Sequence, residues 1–378
     1  MKIAIVGARG VPARYSGFDT MVHELAPRMA AQGHQVTVYC RRGYYKTRPR
    51  TWRGVRLVHL PAPRLKGLES LFHTFLSTLH LLFHKADLVY LLDPGNAPFL
   101  PFLKLRGKKV VLHTDGLGWK RRKWGRMARA YYKWVEGVAA RHAHALVADH
   151  PLMREYYKNE YNADSWYLPY GAVVGDGTDP SLLSRLSLEE GRYLLVVARL
   201  EPENNVDLIV REHKESGTDL PLVVVGDSPY KPTYLESLKE TAAPNVLFTG
   251  RIHDQEQLNA LYAGARLYLH GHEVGGTNPS LLRALGAGTP CLYLDVPFNR
   301  VTAGDAGLPF TKEPGNLAAL LVQGIPPSKR EEMSKKARER ARTEYNWDQV
   351  VQGHLAHFQA LLAQKTSQPQ PQPAQTHP

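Results

Sequence analysis

The sequence predicts an α/β protein of two parallel-sheet domains facing each other across a cleft. Three observations predict it. Short apolar runs rich in β-branched residues alternate with longer segments of helical spacing, as parallel sheets with crossover helices require. The chain has 378 residues, too many for one ordinary core and suited to two. Finally, one stretch in each half reads as a strand, a glycine-bearing turn and a helix start. The first runs from Met1 through Gly7 and Gly10 to Gly17-Phe18, the second from Leu267 through Gly275-Gly-Thr-Asn-Pro-Ser280. A helix start carries unpaired N–H groups and the positive end of a dipole, so it attracts phosphate. Two of them, one per half, predict a phosphorylated ligand gripped between lobes.

In the first half, strands are expected near residues 2–6, 35–40, 55–60, 88–92, 109–113, 145–148 and 165–168. Between the first two, Phe18, Val22, Leu25 and Met29 recur at helical spacing and Gly33 supplies the stop. Leu71–His84 is the most apolar helical stretch. It is shorter than the roughly 20 residues that span a bilayer and contains His73, His80 and His84. It therefore reads as a buried or cleft-facing helix, with in-plane contact at a membrane surface as the alternative. The Gly-, Asp- and Pro-rich segment Gly171–Pro180 marks the domain boundary. The first domain then covers 1–171, a linker 172–190 and the second domain 191–345. Strands of the second domain are expected near 193–198, 221–225, 245–248, 265–270, 290–294 and 307–310. A helix follows Pro327, and a last helix over 346–364 is set to pack back on the first domain. The Pro- and Gln-rich end, 365–378, cannot build a core and is expected to be disordered.

Hydrophobic content of 43% with 22% charged residues is that of a soluble globular protein. The two cysteines, Cys40 and Cys291, flank apolar runs, which excludes a CxxC pair or a cysteine zinc site and fits a reducing, cytoplasmic setting. One lysine and a short apolar run at the amino terminus are too little for a signal peptide. The net charge of +13 asks for an acidic partner: nucleic acid, anionic lipid or a phosphorylated substrate. Nothing resembles an RNA-recognition motif or zinc finger and the basic residues cluster, so nucleic acid is set aside. Lys120-Arg-Arg-Lys123, Arg126, Arg129 and Lys133 form a basic helix, 120–133, interleaved with Trp119, Trp124, Met127, Tyr131 and Trp134. Such a helix suits peripheral contact with the inner face of the cell membrane or a diphosphate-linked lipid, or it is a plain solvated face.

A dinucleotide site is the first reading of an amino-terminal strand, glycine and helix. The spacing of Gly7-Ala-Arg-Gly10 is not G-x-G-x-x-G, and the second strand ends in Tyr39-Cys40 without a ribose-binding acid. Gly7 and Gly17 taken singly serve equally well as tight turns.

Five segments in order resemble another family. They are Gly7-Ala-Arg-Gly-Val-Pro-Ala-Arg-Tyr-Ser-Gly-Phe-Asp-Thr20, Asp115-Gly-Leu-Gly-Trp-Lys-Arg-Arg-Lys-Trp124, Val197-Ala-Arg-Leu-Glu-Pro-Glu-Asn-Asn205, Gly271-His-Glu-Val-Gly-Gly-Thr-Asn-Pro-Ser280 and Pro297-Phe-Asn-Arg300. Together they resemble the retaining glycosyltransferases of family 4, in a bacterial branch that includes rhamnosyltransferases of surface polysaccharides. The resemblance implies the GT-B fold, two Rossmann-like parallel-sheet domains facing across a cleft, with the nucleotide sugar held by the second.

The roles it implies are specific. Arg199 resembles the arginine that pairs with the donor diphosphate, a task suited to a fork of parallel N–H donors, although an arginine there also serves to tie a loop. Asn205 stands where many relatives carry lysine and adds a hydrogen bond without charge. Gly276, Thr277 and Asn278, with Gly17 opposite, resemble the backbone that meets the diphosphate and sugar. Gly250, Arg251 and Ile252 resemble the base-contacting segment. Arg283 falls where the family's ribose-binding glutamate is expected. Arginine cannot accept bonds from a ribose diol, so it is left to pair with phosphate or an acidic donor; Glu273 is a weak substitute. Asp115 resembles the residue that approaches the transferred sugar or acceptor hydroxyl, with His113 to orient it. An Asx turn or helix cap explains Asp115 nearly as well. Asp149-His150 reads as a second cleft pair or, better, a cap.

The implied activity is transfer of a hexose or deoxyhexose, rhamnose among them, from a nucleoside diphosphate sugar to a glycan or polyprenyl-diphosphate-linked acceptor. Configuration is retained, and no metal or cofactor takes part. The alternative, motivated by Arg283 and Asn205, is an inactive binding protein that partners an active transferase.

Overall fold

A computed structural model describes residues 1–13, 17–63, 68–121, 124–175, 179–228 and 232–364. The first lobe is built on an eight-stranded sheet. Its strands are β1 (Lys2–Val6), β2 (Gln35–Arg41), β3 (Thr51–Trp52), β4 (Val55–Leu60), β5 (Leu88–Leu92), β6 (Lys109–His113), β7 (Ala145–Ala148) and β8 (Ser165–Tyr167). The spatial order is β3-β4-β2-β1-β5-β6-β7-β8. All neighbours pair in parallel except β3, which folds back antiparallel on β4. Arg53 and Gly54 make that reversal with positive φ of 45° and 78°, as a two-residue hairpin demands.

The second lobe has six parallel strands: β9 (Leu194–Val197), β10 (Leu222–Val225), β11 (Val246–Gly250), β12 (Leu267–His270), β13 (Cys291–Leu294) and β14 (Gly307–Phe310). Their order is β11-β10-β9-β12-β13-β14. Two GT-B half-folds result, each with helices on both sheet faces. That is why β5 (LVYLL) and β10 (LVVV) are apolar throughout and wholly buried. In each sheet the chain moves outward from one strand and then returns to its other side, at β1/β5 and at β9/β12. Such switch points open a crevice at the carboxyl ends of the strands.

The chain passes between lobes twice, at adjacent points. Ala172 donates its backbone N–H to the Tyr345 carbonyl at 2.7 Å. The helix Pro327–Thr343 lies on the second lobe beside the helix Pro279–Ala287. The helix Trp347–Ala363 then returns to the first lobe, beside the helix Gly17–Ala31. There the Tyr90 hydroxyl meets His354 Nε2 at 3.2 Å, and the Tyr90 and Phe358 rings pack edge to face. The Pro- and Gln-rich tail lies outside the described residues.

Two helices differ from expectation. The basic segment is not one helix over 120–133. Gly118–Lys120 is a single 3-10 turn, and a helix starts only at Arg126, because Gly125 takes an extended conformation (φ −72°, ψ 173°) at its N-cap. Arg122 and Lys123 lie outside the described residues. The apolar helix spans Glu69–Phe83: its first turn, at Glu69 and Ser70, faces the cleft as expected, but only one side of it is buried, and Phe72, Phe75, Leu79 and Phe83 face outward.

Candidate active site

A parallel strand delivers its following residue to the carboxyl edge of the sheet. Gly7, Asp93, Asp115 and Asp149 arrive this way from the first lobe, and Ala198, Arg199, Gly226 and Gly271 from the second. All of them line one cavity of about 830 Å³ between the lobes.

Two helix starts meet in that cavity. Gly17 begins one helix and Pro279 the other, and a Cβ on Gly17 would stand 3.4 Å from Pro279 Cγ. Asn278 caps the second helix, its Oδ1 accepting from the Ser280 N–H at 3.0 Å and from the Ser280 hydroxyl at 2.8 Å. The Tyr268 hydroxyl in turn donates to Ser280 Oγ at 2.9 Å. The Asn278 side chain is thereby committed to holding its own helix start.

The lobes touch through glycine. A Cβ on Gly275, whose φ is +87°, would lie 2.6 Å from the Gly116 Cα of the opposite lobe. One residue on, a Cβ on Gly276 would lie 2.6 Å from Asp149 Oδ2. Thr277 donates its backbone N–H to that same oxygen at 3.1 Å and its hydroxyl to the Asp149 carbonyl. His150, beside it, caps the helix Pro151–Tyr161 through its Nδ1.

Three aspartates from consecutive strands gather on the first-lobe wall. Burial, and then the charge of Asp115, push the Asp149 carboxyl up to about 7. The same two causes raise Asp93 to about 6, against the Gly95 N–H that it accepts at 2.8 Å. Arg121 Nη2 stands 3.1 Å from Asp115 Oδ2. Burial opposes its charge, but Asp115, Tyr132 and Asp93 outweigh burial and hold the guanidinium above its ordinary pKa. Asp115 itself has φ 52°, a left-handed turn stabilised when its N–H donates to His113 Nδ1 at 3.2 Å.

His113 lies behind this turn, not in the cavity. It is fully buried against Phe18, Tyr90 and Tyr170, and burial lowers its pKa to about 3. A neutral ring in that position supports Asp115 and does not face a ligand.

In the second lobe Arg199 lines the cavity, with Nη1 3.5 Å from Glu201 Oε2. Its carbonyl accepts from Asn204 Nδ2 at 2.6 Å, and Asn204 Oδ1 meets His272 Nδ1 at 2.7 Å. Asn205, left-handed at φ 47°, gives Nδ2 to the Gly271 carbonyl at 2.8 Å and to Glu273 Oε2 at 3.3 Å. It stitches the two loops from behind and does not line the cavity. Glu273 pairs with Lys312 and lies on a separate groove beside Trp119.

Arg251 and Ile252 line the far end of the cavity, whereas Gly250 ends β11, accepts the Gly226 N–H at 2.9 Å and does not. Arg283 joins that wall. Its Nε donates to Asn259 Oδ1 and its Nη2 to Gln255 Oε1, both at 2.9 Å.

Among the cavity residues, Asp93 and His272 had no individual role in the sequence, and Arg121 was read there only as part of the basic helix. Asp93 sits in an Asp-Pro-Gly turn and Arg121 in a basic run that reads as surface, so only the fold reveals that they converge. Burial, then His270, Arg199 and Arg121, hold the His272 ring neutral, with a pKa near 3. Guanidiniums from both lobes thus bear on one point. Among the described residues no group of His, Cys, Asp or Glu is arranged to hold a metal ion.

Comparison with known proteins agrees with this architecture. Residues 16–168 match the Glycosyl transferase 4-like domain, and residues 191–325 match the Glycosyl transferases group 1 domain. Between them the two matches take in most of the chain, which belongs to the glycosyltransferases of this two-domain type. Among solved structures it is similar to the sucrose-phosphate synthase of Thermosynechococcus elongatus, with a TM-score of 0.80 at 19% identity over 96% of this chain and 99% of that one. It is also similar to Anabaena HepE in complex with UDP, with a TM-score of 0.73 at 14% identity over 95% of this chain and 100% of that one. At such identities the likeness is one of fold. A 112-residue stretch is 26% identical to the GtfA subunit of UDP-N-acetylglucosamine–peptide N-acetylglucosaminyltransferase from Streptococcus agalactiae. That stretch is 29% of this chain, which spans only 22% of the length of that curated relative.

Proposed function

We propose that the protein transfers a hexose or deoxyhexose, rhamnose among them, from a nucleoside diphosphate sugar to a glycan or polyprenyl-diphosphate-linked acceptor, with retention of configuration. One observation carries the reading: the facing helix starts at Gly17 and Pro279, with Arg199 on the same wall. HepE has been crystallised with UDP and with UDP-glucose, and GtfA is named for a UDP sugar, which supports a nucleotide sugar as the donor.

In this reading the departing diphosphate gains negative charge as the sugar turns oxocarbenium-like. Arg199, the backbone of Gly276 and Thr277, and the two helix dipoles stabilise the leaving group. Asp149 holds the Thr277 N–H that a diphosphate oxygen would take over. Arg251 and Ile252 face the base, with Arg283 beside the ribose. Asp93 and Asp115 stand where positive charge develops, and Arg121 orients Asp115. The donor phosphate assists removal of the acceptor proton on the front face, so no protein nucleophile is required. Neutralisation by guanidinium and N–H groups requires no divalent ion, so EDTA is expected to leave turnover unchanged. Lys120, Arg129 and Lys133 would attract a diphosphate-linked acceptor at the cytoplasmic face of the cell membrane.

The test is a thermal-shift screen with UDP-, dTDP-, GDP- and ADP-sugars, followed by turnover with a lipid-linked acceptor. One donor is expected to raise the melting temperature by mass action. Arg199→Ala should abolish that shift and lower kcat/KM by about 10²–10³-fold. An unchanged shift in Arg199→Ala, or no shift with any donor, sinks the reading.

A further inference from the structure

The helix Glu69–Phe83 is amphipathic in the wrong sense for a surface helix. Its inward positions include His73, Thr74, Ser77 and Thr78, all buried. The three hydroxyls find partners: Thr74 Oγ1 donates to Asn96 Oδ1 at 2.9 Å, and Ser77 and Thr78 donate back along their own helix, to the His73 carbonyl at 2.7 Å and the Thr74 carbonyl at 2.8 Å. The outward positions, spaced three and four apart, are Leu68, Phe72, Phe75, Leu79 and Phe83. Phe75 is 49% exposed, Leu79 45% and Phe83 74%. A solvated helix reverses this arrangement.

The apolar face continues onto its neighbours. Phe75 meets Phe99 with ring centroids 6.5 Å apart. The adjoining helix Leu100–Lys104 and the turn after it expose Phe102 and Leu105, and the helix Arg126–His142 exposes Met127 and Trp134. Contiguous apolar surface of this kind marks an interaction site. Cations border it: Lys85 follows Phe83, Arg106 follows Leu105, and Arg126 and Arg129 flank Met127, all of them exposed.

We propose that this face seats the first lobe on the surface of an anionic lipid bilayer. The phenylalanines and leucines enter the boundary between headgroups and acyl chains while the cationic rim meets the phosphates. No helix among the described residues is long and apolar enough to cross a membrane, so the contact is an in-plane one. Charge selects a bilayer over a second copy of the chain. A two-fold dimer through this face would set the basic rim of one copy near that of the other, whereas an anionic surface complements it. The contact is independent of the transfer reaction, since its test reads binding alone.

The experiment is flotation of the full chain with extruded vesicles of phosphatidylglycerol and phosphatidylcholine in equal parts, against phosphatidylcholine alone. The protein is expected to float with the anionic vesicles and to be released by salt. The triple variant Phe75→Ser, Leu79→Ser, Phe83→Ser should bind at least about tenfold more weakly, as loss of three inserted apolar side chains requires. Its melting temperature should fall by only a few degrees, because Phe83 faces water and Phe75 and Leu79 are already about half exposed. Phe83→Trp should show a blue-shifted emission on binding. The proposal is overturned by undiminished flotation of the triple variant, by an unshifted tryptophan, or by failure of the wild-type chain to bind anionic vesicles. It is equally overturned if the triple substitution only converts a dimer to a monomer in light scattering.

Discussion

The Asp149 carboxylate of the first lobe accepts the backbone N–H of Thr277 from the second at 3.1 Å, in a position only 2% exposed to solvent. With a folded pKa near 7 against an unfolded value of about 3.9, the native state binds more protons than the unfolded chain between those two values. Stability contributed by this group is therefore present in acid and is lost as pH rises from about 4 to about 7. Asp149→Asn keeps an oxygen for Thr277 and removes the titration. Melting temperature measured against pH should lose its downward component over that window. An identical profile in the variant would refute the assignment.

Buried His113 bends the same curve the other way. Its folded pKa of about 3 lies below the unfolded value of about 6.5, so the unfolded chain binds more protons in between. Stability is lost on acidification from about 6.5 toward 3. His113→Asn should flatten that acid limb, and kcat should retain its pH profile above pH 6. A catalytic inflection that vanishes with the imidazole would return His113 to the cavity.

Gly275 and Gly116 allow the lobes to meet. Gly275→Ala brings a Cβ to 2.6 Å from the Gly116 Cα at a left-handed φ of +87°. The strain should cost about 1–3 kcal/mol and is relieved most simply by parting the lobes. A lower melting temperature, a larger radius of gyration by X-ray scattering and a weaker donor-induced shift are expected together. An unaltered radius and shift would show that this contact does not set the closed cleft.

Arg283 is held by Gln255 and Asn259 on a wall shared with Arg251 and Ile252. Arg283→Glu replaces two donors with an acceptor and puts negative charge beside the nucleotide. Donor affinity should fall by at least about tenfold, the cost of roughly one lost buried hydrogen bond to a charged group. Titration calorimetry with the best donor checks this. Equal or tighter binding by Arg283→Glu would mean that the wall was never rewired around arginine.

Much of the fold was legible because parallel strands are covered on both faces, so β5, β6, β9 and β10 leave unbroken apolar runs. β3 escaped because two residues carry no period. The outward turn of the helix Glu69–Phe83 escaped because apolar content alone does not orient a helix. The cue was the polar set at His73, Thr74, Ser77 and Thr78. In the site, motif residues adjacent to strand ends (Arg199, Asp115, Gly276, Thr277) do line the cavity. Asn205, Gly250 and His113 lie one layer back, since alternate residues beside a turn face opposite ways. Asp93 and Arg121 gain meaning only when β5 and β6 become neighbours, and no local pattern encodes that pairing.

The paired passages of the chain between lobes bear on how the cleft opens. Ala172 is bonded to Tyr345, and Gly171 is so near the Trp347 indole that a Cβ there would stand 2.3 Å from its ring. Two tethers fastened side by side behave as a single pivot: they permit one lobe to swing about that seam and resist its sliding or twisting past the other. Any opening of the cleft about this seam would follow a fixed arc, with the widest gape farthest from the pivot.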